Sequence, residues 1–165
     1  MSRGFILVEM SVTYLVLSIA VVALVPAFII TIRGSKATEQ IAEAGRLSAQ
    51  LLEEIRLRKW DQATPAPSNY IAAASALGAD AGESAADKRT FNDIDDFNGW
   101  NETGVLDPVM RPVAGFSAYN RSVTVSYTDS NFNVTTATSD FKLVTVCTSV
   151  QKLKPSCLQL ILANR

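Results

Sequence analysis

Three carboxylates crowd the stretch Phe91-Asn-Asp-Ile-Asp-Asp-Phe-Asn-Gly-Trp100: Asp93, Asp95 and Asp96, beside Gly99. Hard oxygen donors grouped in this way can hold calcium. An EF-hand loop begun at Asp93 requires Asp or Asn at Phe97, glycine at Asn98 and glutamate at Gly104, and none of these conditions is met. Turns and helix caps use the same residue types, so Asp93, Asp95 and Asp96 are weak calcium candidates set against the plainer reading of a polar turn. No other metal is indicated. Ser149-Val-Gln-Lys152 fits the S-x-x-K nucleophile pattern, but it has no SDN or KTG partner and falls at a predicted hairpin end, so it reads as coincidence. There is no phosphate-binding loop and no GxSxG. The chain has no histidine, which removes the usual proton carrier at neutral pH and the commonest metal ligand. It is expected not to be an enzyme and to carry no cofactor.

The two cysteines, Cys147 and Cys157, fit neither a CxxC pair nor a zinc set of about four ligands. One disulfide formed in an oxidising compartment is the simpler reading, and two reduced thiols the alternative. The net charge of −1, from 15 basic and 16 acidic residues, leaves no basic stripe of the kind that neutralises phosphates. Nucleic acid is not an expected partner.

A fourth chemical oddity stands at the other end. Met10 to Ile32 carries no formal charge, and as a helix it reaches about 35 Å, enough to cross a bilayer. Glu9 lies at its start, where a carboxylate in hydrocarbon needs a partner or an exit to water. Arg3 precedes the run and Arg33 and Lys36 follow it, so positive charge does not set the orientation. One reading is a secretory signal cut near Val25-Pro26-Ala27, leaving Phe28 first. Another is a plain signal anchor whose Glu9 reaches toward the headgroups.

A third reading rests on order: a short charged leader ending in Gly4, then Phe5, then Glu9 four residues on, then the apolar run. This order resembles the type III signal of type IV pilins and secretion pseudopilins. The resemblance implies cleavage between Gly4 and Phe5 by prepilin peptidase, and N-methylation of Phe5 with S-adenosylmethionine as the methyl donor. It implies that Glu9 neutralises the new terminal amine of a neighbouring subunit, and that Pro26 loosens the helix during filament packing. The expected partners are prepilin peptidase, other pilin subunits, the inner-membrane assembly platform and the inner membrane itself. The expected location is the bacterial inner membrane, with a single pass and a periplasmic C-terminal head, and afterwards the pilus. Pilins often carry a C-terminal disulfide, which agrees with Cys147 and Cys157. Asp93-Ile-Asp-Asp-Phe-Asn-Gly-Trp100, together with Ala49-Gln-Leu-Leu-Glu-Glu-Ile55, is similar to the D-type minor pilins of mannose-sensitive haemagglutinin pili. The Asn-x-Ser/Thr sites at Asn101, Asn120 and Asn133 matter only in a eukaryotic secretory pathway, which the resemblance excludes. A type II secretion pseudopilin shares the same N-terminal features, and a signal-anchored envelope binding protein is the alternative from another class.

The elements that must position these residues follow from periodicity. Ile41, Ala44, Ser48, Leu51 and Ile55, widened by Leu47 and Leu52, repeat at helical spacing, and Glu54 to Arg58 makes a favourable helix pair. Arg56, Arg58 and Lys59 suit the last turns. One helix from Phe5 to near Trp60 is expected, about 84 Å long. Asp61 to Thr90 reads as a surface connection with a short helical turn near Tyr70 to Leu77. Ser122 to Tyr127 alternates with period two, Asp129-Ser-Asn131 signals a turn, and Phe141 to Val150 and Leu158 to Leu162 are strand-forming. If the cysteines face each other across a hairpin, its midpoint is Lys152, which puts Val144, Val146, Leu158, Leu160 and Leu162 on one face and the cystine on the other. The expected organisation is α+β. It comprises a leader (1–4), a transmembrane or filament-core helix (5–32), its amphipathic continuation (33–60), a connecting region with the acidic segment (61–112), and an antiparallel sheet with the disulfide hairpin (113–165).

Overall fold

A computed structural model describes residues 3–64, 70–72, 74–151 and 153–164, with side chains from Leu7 onward. One helix, α1, spans Arg3–Arg56, and the chain divides into two compact units, Met1–Glu39 and Gln40–Arg165. The fold is α+β, with a long N-terminal helix and a five-stranded antiparallel sheet.

In the first unit, from Met10 to Ile32, the helix is apolar on every side, and its side chains are exposed, Leu7 by 71%, Val22 by 72% and Ile30 by 71%. It is long and apolar enough to cross a membrane. Several of its hydroxyls fold back on the helix: Ser11 Oγ donates to the Leu7 carbonyl and Thr13 Oγ1 to that of Glu9, both at 2.8 Å, and Thr31 Oγ1 to that of Ala27 at 2.9 Å. Polar atoms satisfied within their own helix need no water. Pro26 lies inside the helix, where it cannot donate to the carbonyl one turn back.

In the second unit α1 lays Ala44, Leu47, Ser48, Leu51 and Ile55 against the sheet, and all five are buried. Ile41, expected to begin this stripe, is 43% exposed, so the packed face starts one turn later. The helix ends at Arg56 rather than near Trp60, so Arg58 and Lys59 fall beyond it and do not serve its last turn. Arg56 pairs with Glu53 at 3.0 Å. Gly45 marks close approach, since a Cβ there would stand 3.3 Å from Ser156 Oγ. Ser48 Oγ lies 2.7 Å from Thr148 Oγ1 and donates to the Ser156 carbonyl at 3.1 Å, tying helix to sheet.

The strands are β1 (Asn101–Thr103), β2 (Tyr119–Thr128), β3 (Val134–Thr135), β4 (Phe141–Val150) and β5 (Ser156–Ala163). Their order is β1-β2-β4-β5, with β3 also pairing β2. β1 lies within the stretch read as connection, because its residues do not alternate long enough to announce a strand. No helical turn forms among the described residues of 70–77. There the chain is held by Asn164, which accepts the Ile71 N–H at 3.1 Å and donates to the Ile71 carbonyl at 2.8 Å. Across β4 and β5, Val144 faces Leu160, Val146 faces Leu158 and Cys147 faces Cys157. The predicted register therefore holds, and Lys152, its midpoint, lies outside the described residues. Cys157 is exposed and Cys147 half-buried, so the cystine sits on the outer face while Val144 and Val146 are buried.

Candidate functional site

The inner face of the sheet is built in rows. Val123 pairs Val146, and Val125 pairs Val144, forming an aliphatic centre. At one end Arg121 pairs Thr148; at the other Tyr127 pairs Lys142. Both cations are buried, and each requires a carboxylate at hydrogen-bonding distance.

Arg121 finds Glu102 of β1. Its Nε and Nη2 donate to Glu102 Oε2 at 2.8 and 2.6 Å, while Lys88 Nζ and Trp100 Nε1 donate to Oε1 at 3.1 and 3.0 Å. The Leu106 N–H adds a fifth bond to Oε2 at 3.1 Å. Burial pushes the Glu102 carboxyl up, but the charges of Arg121 and Lys88 outweigh it and hold the group below the usual carboxylate range. Glu54, expected to pair Arg58, turns instead to Lys88 at 3.3 Å.

Lys142 Nζ donates to Asp95 Oδ1 at 2.8 Å and to the Trp60 carbonyl at 2.6 Å, and lies 3.7 Å from Asp61 Oδ2. It stands 4.0 Å from the centre of the Trp60 ring, a cation over an aromatic face. Asp61 accepts the Ser75 N–H at 2.6 Å and the Ala63 N–H at 2.9 Å. Burial pushes the Asp61 carboxyl up, and those amide bonds, with Lys142, bring it below its usual value.

The acidic segment is therefore an interior feature. Asp93, Asp95 and Asp96 are all buried, and a 3-10 turn, Asp95–Phe97, carries the last two. Of the three, Asp95 gives Oδ1 to Lys142 while its Oδ2 is buried without a hydrogen-bond partner among the described residues, and the group that joins Asp93 and Asp96 is Asp80, from the connection. One carboxylate oxygen from each of Asp80, Asp93 and Asp96 lies within 4.8 Å of the other two. Glu83 borders this group: its Oε2 accepts the Asp80 N–H at 3.1 Å and its Oε1 an Asn92 amide hydrogen at 2.5 Å. Burial, together with the neighbouring carboxylates, pushes Asp93 up to about 9 and raises Asp80 and Glu83. Hard oxygen donors at this spacing can hold a cation.

The remaining sequence candidates lie apart. Gly4 and Phe5 belong to the first turns of α1 as backbone, and their side chains lie outside the described residues. Glu9 is exposed in the first unit and makes no ion pair among the described residues. Cys147 and Cys157 are joined as a disulfide. Sequence reasoning missed Arg121, Lys142, Glu102, Lys88 and Asp80. For the two strand cations a signal existed, because Arg121 keeps step with Val123 and Val125, and Lys142 with Val144 and Val146. For Glu102, Lys88 and Asp80 no local pattern exists. No family model, no characterised protein and no solved structure matches this chain.

Proposed function

We propose that this chain is a minor pilin or pilin-like subunit of a type IV filament, made as an inner-membrane precursor and assembled after prepilin peptidase removes residues 1–4. One observation carries the reading. From Leu7 to Ile32 the helix leaves apolar side chains exposed on every side, with Glu9 as its lone carboxylate, directly after the Gly4-Phe5 step. Such a surface needs hydrocarbon or other helices around it. A bilayer before assembly and neighbouring copies afterwards supply both. Glu9 then meets the new amine of a neighbouring subunit, so that two buried charges neutralise each other. The disulfide suits a head folded in an oxidising compartment. The subunit does no chemistry of its own.

Mass spectrometry of the mature N-terminus tests the proposal. N-methylated Phe5 is expected; Phe28 as first residue, or a retained Met1, overturns it in favour of a secretory signal or a plain anchor. A Glu9→Val variant is expected to insert and be processed normally but to be depleted from filaments, as measured by immunoblotting sheared filaments against membranes. Wild-type levels of the variant in filaments would remove Glu9 from assembly. A deletion phenotype in protein secretion rather than in piliation would assign the same mechanics to a type II secretion pseudopilin.

A further inference from the structure

Asp80 comes from the connection, Asp93 from the segment that bridges Lys59 just beyond α1, and Asp96 from the 3-10 turn. Two of the three are set by backbone amides. Asp93 Oδ1 accepts the N–H groups of Asp95 and Asp96 at 3.0 and 3.3 Å, and Asp96 Oδ2 those of Asn92 and Asp93 at 2.8 and 2.9 Å. Their other oxygens, Asp93 Oδ2 and Asp96 Oδ1, are buried without a hydrogen-bond partner among the described residues, and so is Asp80 Oδ2. Asp93 is 0% exposed and Asp96 2%. A buried carboxylate oxygen without a donor is costly, and three carboxylates converging on one point call for a positive group. Lys142 is taken by Asp95 and the Trp60 carbonyl, and no described lysine or arginine makes a salt bridge to Asp80, Glu83, Asp93 or Asp96.

We propose that Asp80, Asp93 and Asp96 form a calcium site, bordered by Glu83, whose Oε2 holds the Asp80 N–H. An all-carboxylate donor set selects a hard divalent ion over a soft one. Two oxygens bound to one calcium at about 2.3 to 2.6 Å stand at most about 5 Å apart, which the 4.8 Å envelope meets. Magnesium, at about 2.0 to 2.1 Å, demands near-ideal octahedral geometry and keeps more of its water, which a set of three fixed carboxylates does not favour. Asp80 is half-buried, leaving the ion a route in and positions for water. Binding ties the connection to the segment beneath it, so calcium acts as a clasp on the head. The ligand set differs from the one the acidic segment suggests by itself, since Asp95 is replaced by Asp80.

The test uses the full chain in detergent, stripped with EDTA and dialysed against calcium alone. One calcium per chain is expected. Unfolding followed by tryptophan fluorescence should shift upward by about 8 °C at calcium 100-fold above its Kd. Magnesium at the same concentration should give less than half that shift. Asp93→Asn should abolish the response. Asp80→Asn, on a half-buried turn, should keep its melting temperature in EDTA and lose about tenfold or more in calcium affinity. It therefore decides the matter even where Asp93→Asn fails to fold. Asp129→Asn, on a separate exposed turn, should bind like the wild type. Absence of calcium binding in the wild type, or unchanged binding in Asp80→Asn, overturns the proposal. A wild type indifferent to calcium alongside a stabilised Asp93→Asn would give the pocket to shared protons instead.

Discussion

Replacing Glu102 by glutamine changes no volume, so it isolates what one buried charge does for the fold. Glu102 Oε1 faces Lys88 Nζ and Trp100 Nε1, and Oε2 faces two Arg121 nitrogens and the Leu106 N–H. Whichever oxygen becomes the amide NH2, it points donors at two or three donors. Lys88 and Arg121 would also be left with Glu54 as the remaining described carboxylate of the cluster. Removing one partner of a buried pair costs about 3 to 5 kcal/mol, which for a unit the size of Gln40–Arg165 lowers the melting temperature by about 10 to 20 °C. The chain has two tryptophans, Trp60 and Trp100, both in that unit and both buried, so urea unfolding in micelles read by their fluorescence reports this unit alone. The folded carboxyl lies below its ordinary value, so its contribution is complete above the unfolded value of about 4.3 and disappears as pH falls through the folded one. The gap between wild type and Glu102→Gln should accordingly be full at pH 7 and narrow below about pH 4. Because an apolar replacement of both partners leaves no orphan charge between them and Lys88 keeps Glu54, Glu102→Leu with Arg121→Met should recover part of the loss. A cost under about 1 kcal/mol at neutral pH, or a gap that widens in acid, would refute the reasoning.

Two further expectations follow from the same packing. The Cys147–Cys157 bridge closes a separation of 10 residues, so Cys147→Ser with Cys157→Ser should cost about 3 kcal/mol by loop-closure entropy, read as a lower urea midpoint; no change in midpoint would contradict this. Leu51 is 0% exposed between helix and sheet, and Leu51→Ala should cost about 2 to 5 kcal/mol in the same unfolding assay, whereas a loss below about 1 kcal/mol would mean that the helix is not held through this stripe.

What could be read in the chain is what repeats within reach of its neighbours. The uninterrupted apolar run, the stripe from Ala44 to Ile55, the alternation around Val123 and the hairpin centred between Cys147 and Cys157 are local periodicities, and backbone geometry converts each into an element, a face or a register. The end of α1 is not legible in the sequence, because Arg58 and Lys59 suit a last turn by type while the chain leaves the helix after Arg56 and bridges Lys59 to Asp93. Aspartates 93, 95 and 96 were visible as a cluster, but their division was not. Lys142 arrives from β4 to take Asp95, and Asp80 arrives from the connection to meet the other two. The same holds for Glu102, which gathers Lys88, Arg121 and Trp100 from three stretches. Sequence by itself determines periodic elements, because they depend on spacing along the chain. Which buried charge meets which depends on distances through space, and only the tertiary structure decided that.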